Sequence, residues 1–242
     1  ENFNTFSLNG LEPGTGYHVG VELVGFVEGN PTADASAVGD IALSFKTKEK
    51  DPPPRTLHVA KHGDDDASGL SRETAWRTIN RAADEARPGD TILIGEGVYS
   101  EKVRVRVTGD EGKRVTFKAH PGEKVVLDGH EKTLQGAFWL FNNKDYIDID
   151  GFYLTDFMRR GPGSPRFGAV AVLRCEHVRI TRLFHHHSKP EIVTIASSND
   201  VLVRNCVTMN GWDGVAVGGS TNVRVENNVI VRPKIRCVPV HA

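Results

Sequence analysis

Short apolar strands that recur about every 22 residues, near-continuous period-two alternation after residue 90 and one isolated helical stripe predict an all-β fold. The class is a right-handed parallel β-helix, a single-stranded solenoid with three strands per coil. An N-terminal capping helix and a partial β-sandwich segment precede it. An alternating strand buries one face only. A coil of three such strands cannot bury its inward side chains alone, so coils stack into a continuous core.

Residues 1–48 read as strands and turns. Leu11-Glu12-Pro13-Gly14-Thr15-Gly16-Tyr17-His18-Val19 places a Pro-Gly turn before an alternating strand, with Tyr17 at its start. A tyrosine corner sits at such a place, its hydroxyl bonding back to backbone just upstream. The segment resembles the C-terminal part of a fibronectin type III domain, with room for about three of the roughly seven strands a sandwich needs. Residues 49–56 are charged and Pro-rich, and three consecutive prolines make a semi-rigid linker. Residues 57–242 are then the β-helix.

The helix is expected over 72–86, starting at Ser71 or at Glu73-Thr74. Trp76, Ile79, Ala82 and Ala83 form its apolar stripe, and Arg87-Pro88-Gly89-Asp90 ends it. It fits as a cap over the open end of the first coil.

Four segments define the repeat: Tyr146-Ile147-Asp148-Ile149, His177-Val178-Arg179-Ile180, Asp200-Val201-Leu202-Val203 and Asn222-Val223-Arg224-Val225. Eight and six residues before each apolar pair stands another: Trp139/Phe141, Val170/Val172, Val193/Ile195 and Val215/Val217. Gly151, Arg182, Asn205 or Asn227 follows, and then a third short strand. The periods are 31, 23 and 22, and an inserted loop over 155–168 explains the long one. Ile92/Ile94 and Val115/Phe117 extend the series upstream, and Val238/Val240 starts another turn. The Asn at the tight turn is expected to hydrogen-bond turn backbone in the next coil. A β-sandwich would need hairpin turns every 8–12 residues, and the repeats offer only Asn210-Gly211. The chain stops inside a coil at Val238-Pro239-Val240-His241-Ala242 with no visible cap, so it is expected to be part of a longer protein with further domains, or to have that end covered by a partner.

Composition narrows the function classes. Lys+Arg is 30 and Asp+Glu is 31, a net charge of −1, which argues against a general nucleic-acid binder. A hydrophobic fraction of 38% argues against an acid-rich disordered chain. No apolar run reaches the roughly 18 residues of a transmembrane helix. Cys175, Cys206 and Cys237 cannot all pair and lack zinc spacing, so they read as buried thiols.

The opening of the solenoid carries a resemblance. His58-Val59-Ala60, Gly63-Asp64-Asp65-Asp66, Ala75-Trp76-Arg77-Thr78-Ile79, Arg87-Pro88-Gly89-Asp90-Thr91-Ile92, Gly97-Val98-Tyr99 and Pro121-Gly122-Glu123-Lys124-Val125-Val126-Leu127-Asp128-Gly129 resemble the pectate-lyase-like right-handed β-helix superfamily over 57–242. Its members include lyases of acidic polysaccharides, glycoside hydrolases, epimerases and non-catalytic surface proteins. The resemblance implies an extracellular or cell-surface protein with a polysaccharide partner, probed along the outer face of the first sheet and the loops after the third strand. It does not choose among activities.

Both surfaces are readable. The outward first-strand positions are expected to be Leu140, Ala171, Thr194, Ala216 and Pro239, small or apolar, with no base and no carboxylate pair of the kind a hydrolase uses. The loops are basic. Arg159, Arg160, Arg166, Lys189, Arg232, Lys234 and Arg236 face only Asp156, Glu191 and Asp213. Arg159, Arg160, Arg166, Lys234 and Arg236 are the candidates for pairing uronate or sulfate groups, and Trp212 for stacking on a sugar. Of His185-His186-His187, His185 points inward at the level of Leu154, Thr208 and Ile230. His186 or His187, with Lys189 or Glu191, is the acid/base candidate. Adjacent residues on a strand point opposite ways, so the triplet is a poor metal site. Asp213 is a weak calcium candidate, because calcium takes six to eight oxygens; no other cofactor is implied. Gly63-Asp64-Asp65-Asp66 reads as a turn. The expected function is to bind, and to cleave by elimination or hydrolysis, an acidic polysaccharide. The alternative is a non-catalytic structural or adhesive module.

Overall fold

The computed structural model describes residues 9–25, 36–46, 52–130, 136–157, 167–188, 191–210, 214–231 and 240–241. The chain divides into two compact units, Glu1–Pro53 and Pro54–Ala242. In the first, Gly16–Gly25 pairs antiparallel with Ser36–Lys46, and the register shifts between Leu23 and Val24. Gly14 takes a positive φ in the turn before this strand. The Glu12 amide donates to the Tyr17 hydroxyl at 2.8 Å, the bond a tyrosine corner makes.

The second unit is the parallel β-helix. Among the described residues it has three parallel sheets of six, seven and six strands. The first holds Val103–Arg104, Phe138–Phe141, Val170–Leu173, Val193–Ala196, Val215–Gly218 and Val240–His241. The second holds Thr56–Val59, Thr91–Ile94, Val115–Ala119, Ile147–Asp150, Glu176–Thr181, Asn199–Arg204 and Thr221–Glu226. The third holds Gly97–Tyr99, Val125–Asp128, Tyr153–Thr155, Phe184–His186, Val207–Met209 and Val229–Val231. Each full coil visits the sheets in that order, and equivalent residues pair coil to coil.

The inward columns form the core. Ile147/Ile149, Val178/Ile180 and Val201/Val203 line the second sheet and are buried. Leu154, His185, Thr208 and Ile230 stack in one column of the third sheet, as the sequence register implies. Phe117, Phe138 and Phe152 fill the earlier coils, with ring centroids 5.8 and 5.2 Å apart. Each buried large apolar side chain contributes about 1.5–3 kcal/mol of transfer free energy. Buried Cys175 and Cys206 are free thiols, and burial pushes Cys206 up to about 11, so it stays protonated. Cys237 lies outside the described residues.

Left-handed backbone turns the corner between second and third sheets. Gly151, Arg182, Asn205 and Asn227 all have positive φ, between 51° and 87°. This conformation, which Asn tolerates better than most residues, explains the corner asparagines better than the expected side-chain bonding does. The cross-coil bond belongs instead to the next residue. Asn228 accepts from the Cys206 amide through Oδ1 at 2.8 Å and donates through Nδ2 to the Val203 carbonyl at 3.0 Å.

Two further expectations are corrected. The helix is shorter than expected: it runs over Ile79–Glu85, with Thr78 as N-cap. Residues 71–77 are occupied otherwise. Ser71 and Thr74 bond each other through backbone and hydroxyl groups, competing with helical bonding. Trp76 pairs its backbone with His58 and Ala60. Glu101 caps the helix from outside, accepting from the Ile79 and Asn80 amides at 3.0 Å each. Ile79, Ala82 and Ala83 are buried against the first coil.

The second correction concerns register. Phe138 and Leu140 face the core, while Trp139 and Phe141 face outward. Val170 pairs with Phe138, not Trp139. The cause is one extra residue in the turn leading to Ile147, where Asn142, Asn143 and Tyr146 all take positive φ. The other coils manage with two such residues there, Arg174/His177 and Ser197/Asp200. Because strand side chains alternate with period two, a one-residue slip exchanges the inner and outer sets.

Candidate functional site

The corrected register puts an aromatic cluster on the outer face of the first sheet. Trp139 and Phe141 stack at 5.1 Å and 28°. Phe167, reached just before the next first-sheet strand, meets Trp139 edge-on at 5.6 Å and Phe141 at 5.4 Å. The Lys102 ammonium lies 3.9 Å from the indole centroid, a cation–π contact. A Cβ at Gly136 would stand 2.7 Å from Trp139 Nε1, so only glycine lets the indole lie so close to the backbone. The indole N–H is buried and makes no hydrogen bond among the described residues.

Along the same face the following coils carry small side chains, of which Ala171 is fully buried and Thr194 and Ala216 are partly accessible. Thr194 Oγ1 accepts from the Gly168 amide at 2.7 Å. Rings thus stand at one end, and small side chains, Thr194 and Ala216, are accessible two and three coils further on. Leu140, expected outward, is fully buried, so the outward residue of that coil is an aromatic one. The missed signal was local: Gly136-Ala137 and Gly168-Ala169 precede their strands identically and align Phe138 with Val170.

In chain order each third-sheet strand leads on to the next first-sheet strand. Asp128, Thr155, His186 and Met209 form one column. Thr155 Oγ1 lies 3.5 Å from His186 Nδ1 and donates to Asp156 Oδ2 at 2.9 Å. His186 Nδ1 and His187 Nδ1 approach to 2.6 Å, so one ring donates and the other accepts. Burial and the neighbouring His187 hold His186 below the ordinary imidazole value, against the opposing pull of Asp156. A neutral imidazole near pH 7 is a competent proton acceptor. Ser188 braces the turn, taking the Phe157 amide at 3.1 Å and donating to the His186 carbonyl at 3.2 Å.

His185 is fully buried, its Nδ1 2.9 Å from Thr208 Oγ1, and burial pushes it down to about 3. It is a neutral core residue. Glu191 is buried too, and among the described residues its Oε2 makes no hydrogen bond and none links it to His186 or His187. Its main-chain carbonyl accepts from Ala169 at 2.7 Å. The structure therefore brings His186 and His187 together with Thr155 and Asp156.

Lys189, Arg159, Arg160, Arg166, Trp212, Asp213, Lys234 and Arg236 lie outside the described residues. Among the described residues no three His, Cys, Asp or Glu side chains are grouped to hold a metal ion. Asp65 is occupied structurally, accepting from the Arg77 and Thr78 amides at 2.9 Å each.

Residues 57–224 match a family model described as Pel9A-like, right handed beta helix region. The uncharacterized protein YwoF of Bacillus subtilis (strain 168) is 37% identical over 127 residues, 51% of this chain and 27% of that protein. Pectate lyase PEL9 of Emericella nidulans is 31% identical over 77 residues, 31% of this chain and 18% of that protein. The chain thus spans under a third of the length of either relative. The solved complex of XylC with xylose has the same fold, with a TM-score of 0.64 at 15% identity over 72% of this chain and 54% of that one.

Proposed function

This chain belongs to the Pel9A-like right-handed β-helix family, and from that premise we propose that it binds and cleaves an acidic polysaccharide outside the cell. The observation that carries the reading is the Trp139–Phe141–Phe167 cluster with Lys102 over the indole. Aromatic faces stack on sugar rings, and an ammonium beside them favours a carboxylated sugar. Arg159, Arg160, Arg166, Lys234 and Arg236 remain the proposed partners of its carboxylates, and Trp212 a proposed stacking residue. The pectate lyase among the relatives supports the same polymer class. His186 is the residue best placed to move a proton, held neutral by burial and braced by Thr155. Lys189 and Glu191 remain its proposed companions.

The first unit is read as a fibronectin type III-like segment, supported by the Tyr17 hydroxyl bond to Glu12. Such segments space catalytic modules on surfaces, which fits a chain with further domains.

The experiment is incubation with polygalacturonate, alginate, chondroitin sulfate and heparan sulfate, with and without calcium. Unsaturated-product absorbance and new reducing ends are both followed. A gain in absorbance identifies elimination; reducing ends alone identify hydrolysis. Trp139→Ala should weaken turnover mainly through KM, and His186→Ala mainly through kcat. Because His186 must be neutral to accept a proton, activity should hold down through pH 6.5 and fall only at lower pH. Turnover unchanged in both variants sinks the site assignment. The alternative, a non-catalytic surface module, is favoured by the small outer residues Thr194 and Ala216. Polymer binding without product in either assay would select it.

A further inference from the structure

The corner between the second and third sheets holds a groove of about 580 Å³ whose lining includes no first-sheet residue, although its wall residue Phe184 lies 5.4 Å from the His186 ring. Tyr153 and Phe184, neighbours on the outer face of the third sheet, form one wall with centroids 5.4 Å apart. Lys124 reaches over Tyr153, its ammonium 5.0 Å from the ring centroid. Lys118 enters from the outer face of the second sheet, beside Asp150. At the floor, Gly151 has a φ of +87°, and its missing side chain keeps the corner low between Ala119 and Arg182.

The acidic groups nearby are already engaged. Arg182 clamps Asp150 with Nε on Oδ1 at 2.7 Å and with a close Nη2 contact to Oδ2, and Thr181 adds a hydrogen bond at 2.8 Å. Glu123 accepts from Arg72 at 2.7 Å and from the Glu96 amide at 2.8 Å, with His120 at 3.1 Å. Among the described residues neither Lys118 nor Lys124 has a carboxylate within ion-pair distance. The groove thus sets two ammonium groups, neither with a carboxylate at ion-pair distance among the described residues, against an aromatic wall, while Asp150 and Glu123 are each bound by an arginine.

We propose that this groove is a second carbohydrate site, separate from the first-sheet face, which holds a carboxylated sugar segment with its rings on Tyr153 and Phe184 and its carboxylates on Lys118 and Lys124. It rests on the polysaccharide reading for its ligand class alone. A polymer anchored there stays near the molecule while another stretch occupies the first-sheet face, so the two sites raise each other's effective concentration.

The test is affinity electrophoresis of the whole chain in gels containing sodium polygalacturonate, with dextran as the neutral control. Lys118→Glu/Lys124→Glu should cut the polygalacturonate retardation about tenfold, since two charge-assisted contacts are lost, and Lys118→Gln/Lys124→Gln should cut it less. Arg179→Glu/Arg224→Glu carries the same charge change outside the groove and should retain the retardation. Trp139→Ala should lose only the share due to the first-sheet face. Equal retardation of wild type and the groove variants overturns the proposal, as does an equal loss in Arg179→Glu/Arg224→Glu. Failure of the first-sheet reading shows separately, as unchanged retardation and turnover in Trp139→Ala with the groove effect intact.

Discussion

The outer face of the first sheet and the corner between the second and third sheets both pair aromatic rings with lysines, but they position them by different means. On the flat face, strand pairing sets the rings. Trp139 and Phe141 project from one strand, Phe167 enters beside them, and Lys102 lies over the indole. At the corner, backbone in the left-handed region sets the geometry, with Gly151 and Arg182 stacked coil on coil. The flat face is nearly free of charged scaffolding, whereas the corner is built on the Arg182–Asp150 clamp. Inward positions of this solenoid are mostly apolar, and the buried polar pair His185–Thr208 shares a hydrogen bond; outward positions on the same strands are free to diverge, and the site chemistry is found there.

The largest expected effect tests the register on which that contrast depends. Leu140→Ala removes a fully buried side chain and should lower stability by about 2–5 kcal/mol. Denaturant unfolding measures it; a loss below about 1 kcal/mol would place Leu140 outside the core and reverse the faces. Next, Trp139→Ala should weaken polymer binding about tenfold through lost ring stacking, while the corner variants leave that share in place. Isothermal titration with oligogalacturonate separates the two.

The clamp gives a smaller, pH-dependent effect. Burial pushes the Asp150 carboxyl up, but the hydrogen bonds from Arg182 and Thr181 outweigh this and hold it below the ordinary value. A depressed folded pKa means stability that is present above the unfolded value and lost as pH falls through the folded one. Arg182 is more than half exposed, so solvent screens the pair and Asp150→Asn should cost only about 1 kcal/mol at pH 7. Thermal melts between pH 7 and pH 2 should show a shallower acid limb in the variant; parallel limbs would mean that Asp150 is not held by the clamp. The smallest expected effect is Lys102→Gln, which removes a cation–π contact of about 0.5–1 kcal/mol and should weaken oligogalacturonate binding a few-fold, leaving the corner groove untouched.

What was legible in the sequence follows the same division. Inward columns repeat because each coil must fill the same core, so Ile147, Val178, Val201 and Val223 announced the solenoid. His185 could be placed inside because its column neighbours Leu154 and Thr208 share its level. The site was less legible. One extra turn residue before Ile147 exchanged Trp139 for Leu140 on the outer face, and no periodicity in the remaining coils reports such an insertion. The helix start was overestimated because Ser71 and Thr74 satisfy each other's backbone locally, a competition that an apolar stripe does not reveal. The groove at the corner was invisible because its members come from separate coils and no single segment carries them.

In-register pairing also makes the solenoid a ruler. Six strands in the first sheet, at the usual spacing of about 4.8 Å, lay out a track of about 24 Å. Because Val193 pairs with Val170 as Val170 pairs with Phe138, excising residues 170–192 would bring Phe138 directly against Val193 and shorten the track by a single step. The same cut would also remove Arg182 and Phe184 from the corner, so one deletion shortens the flat track and dismantles the corner groove together.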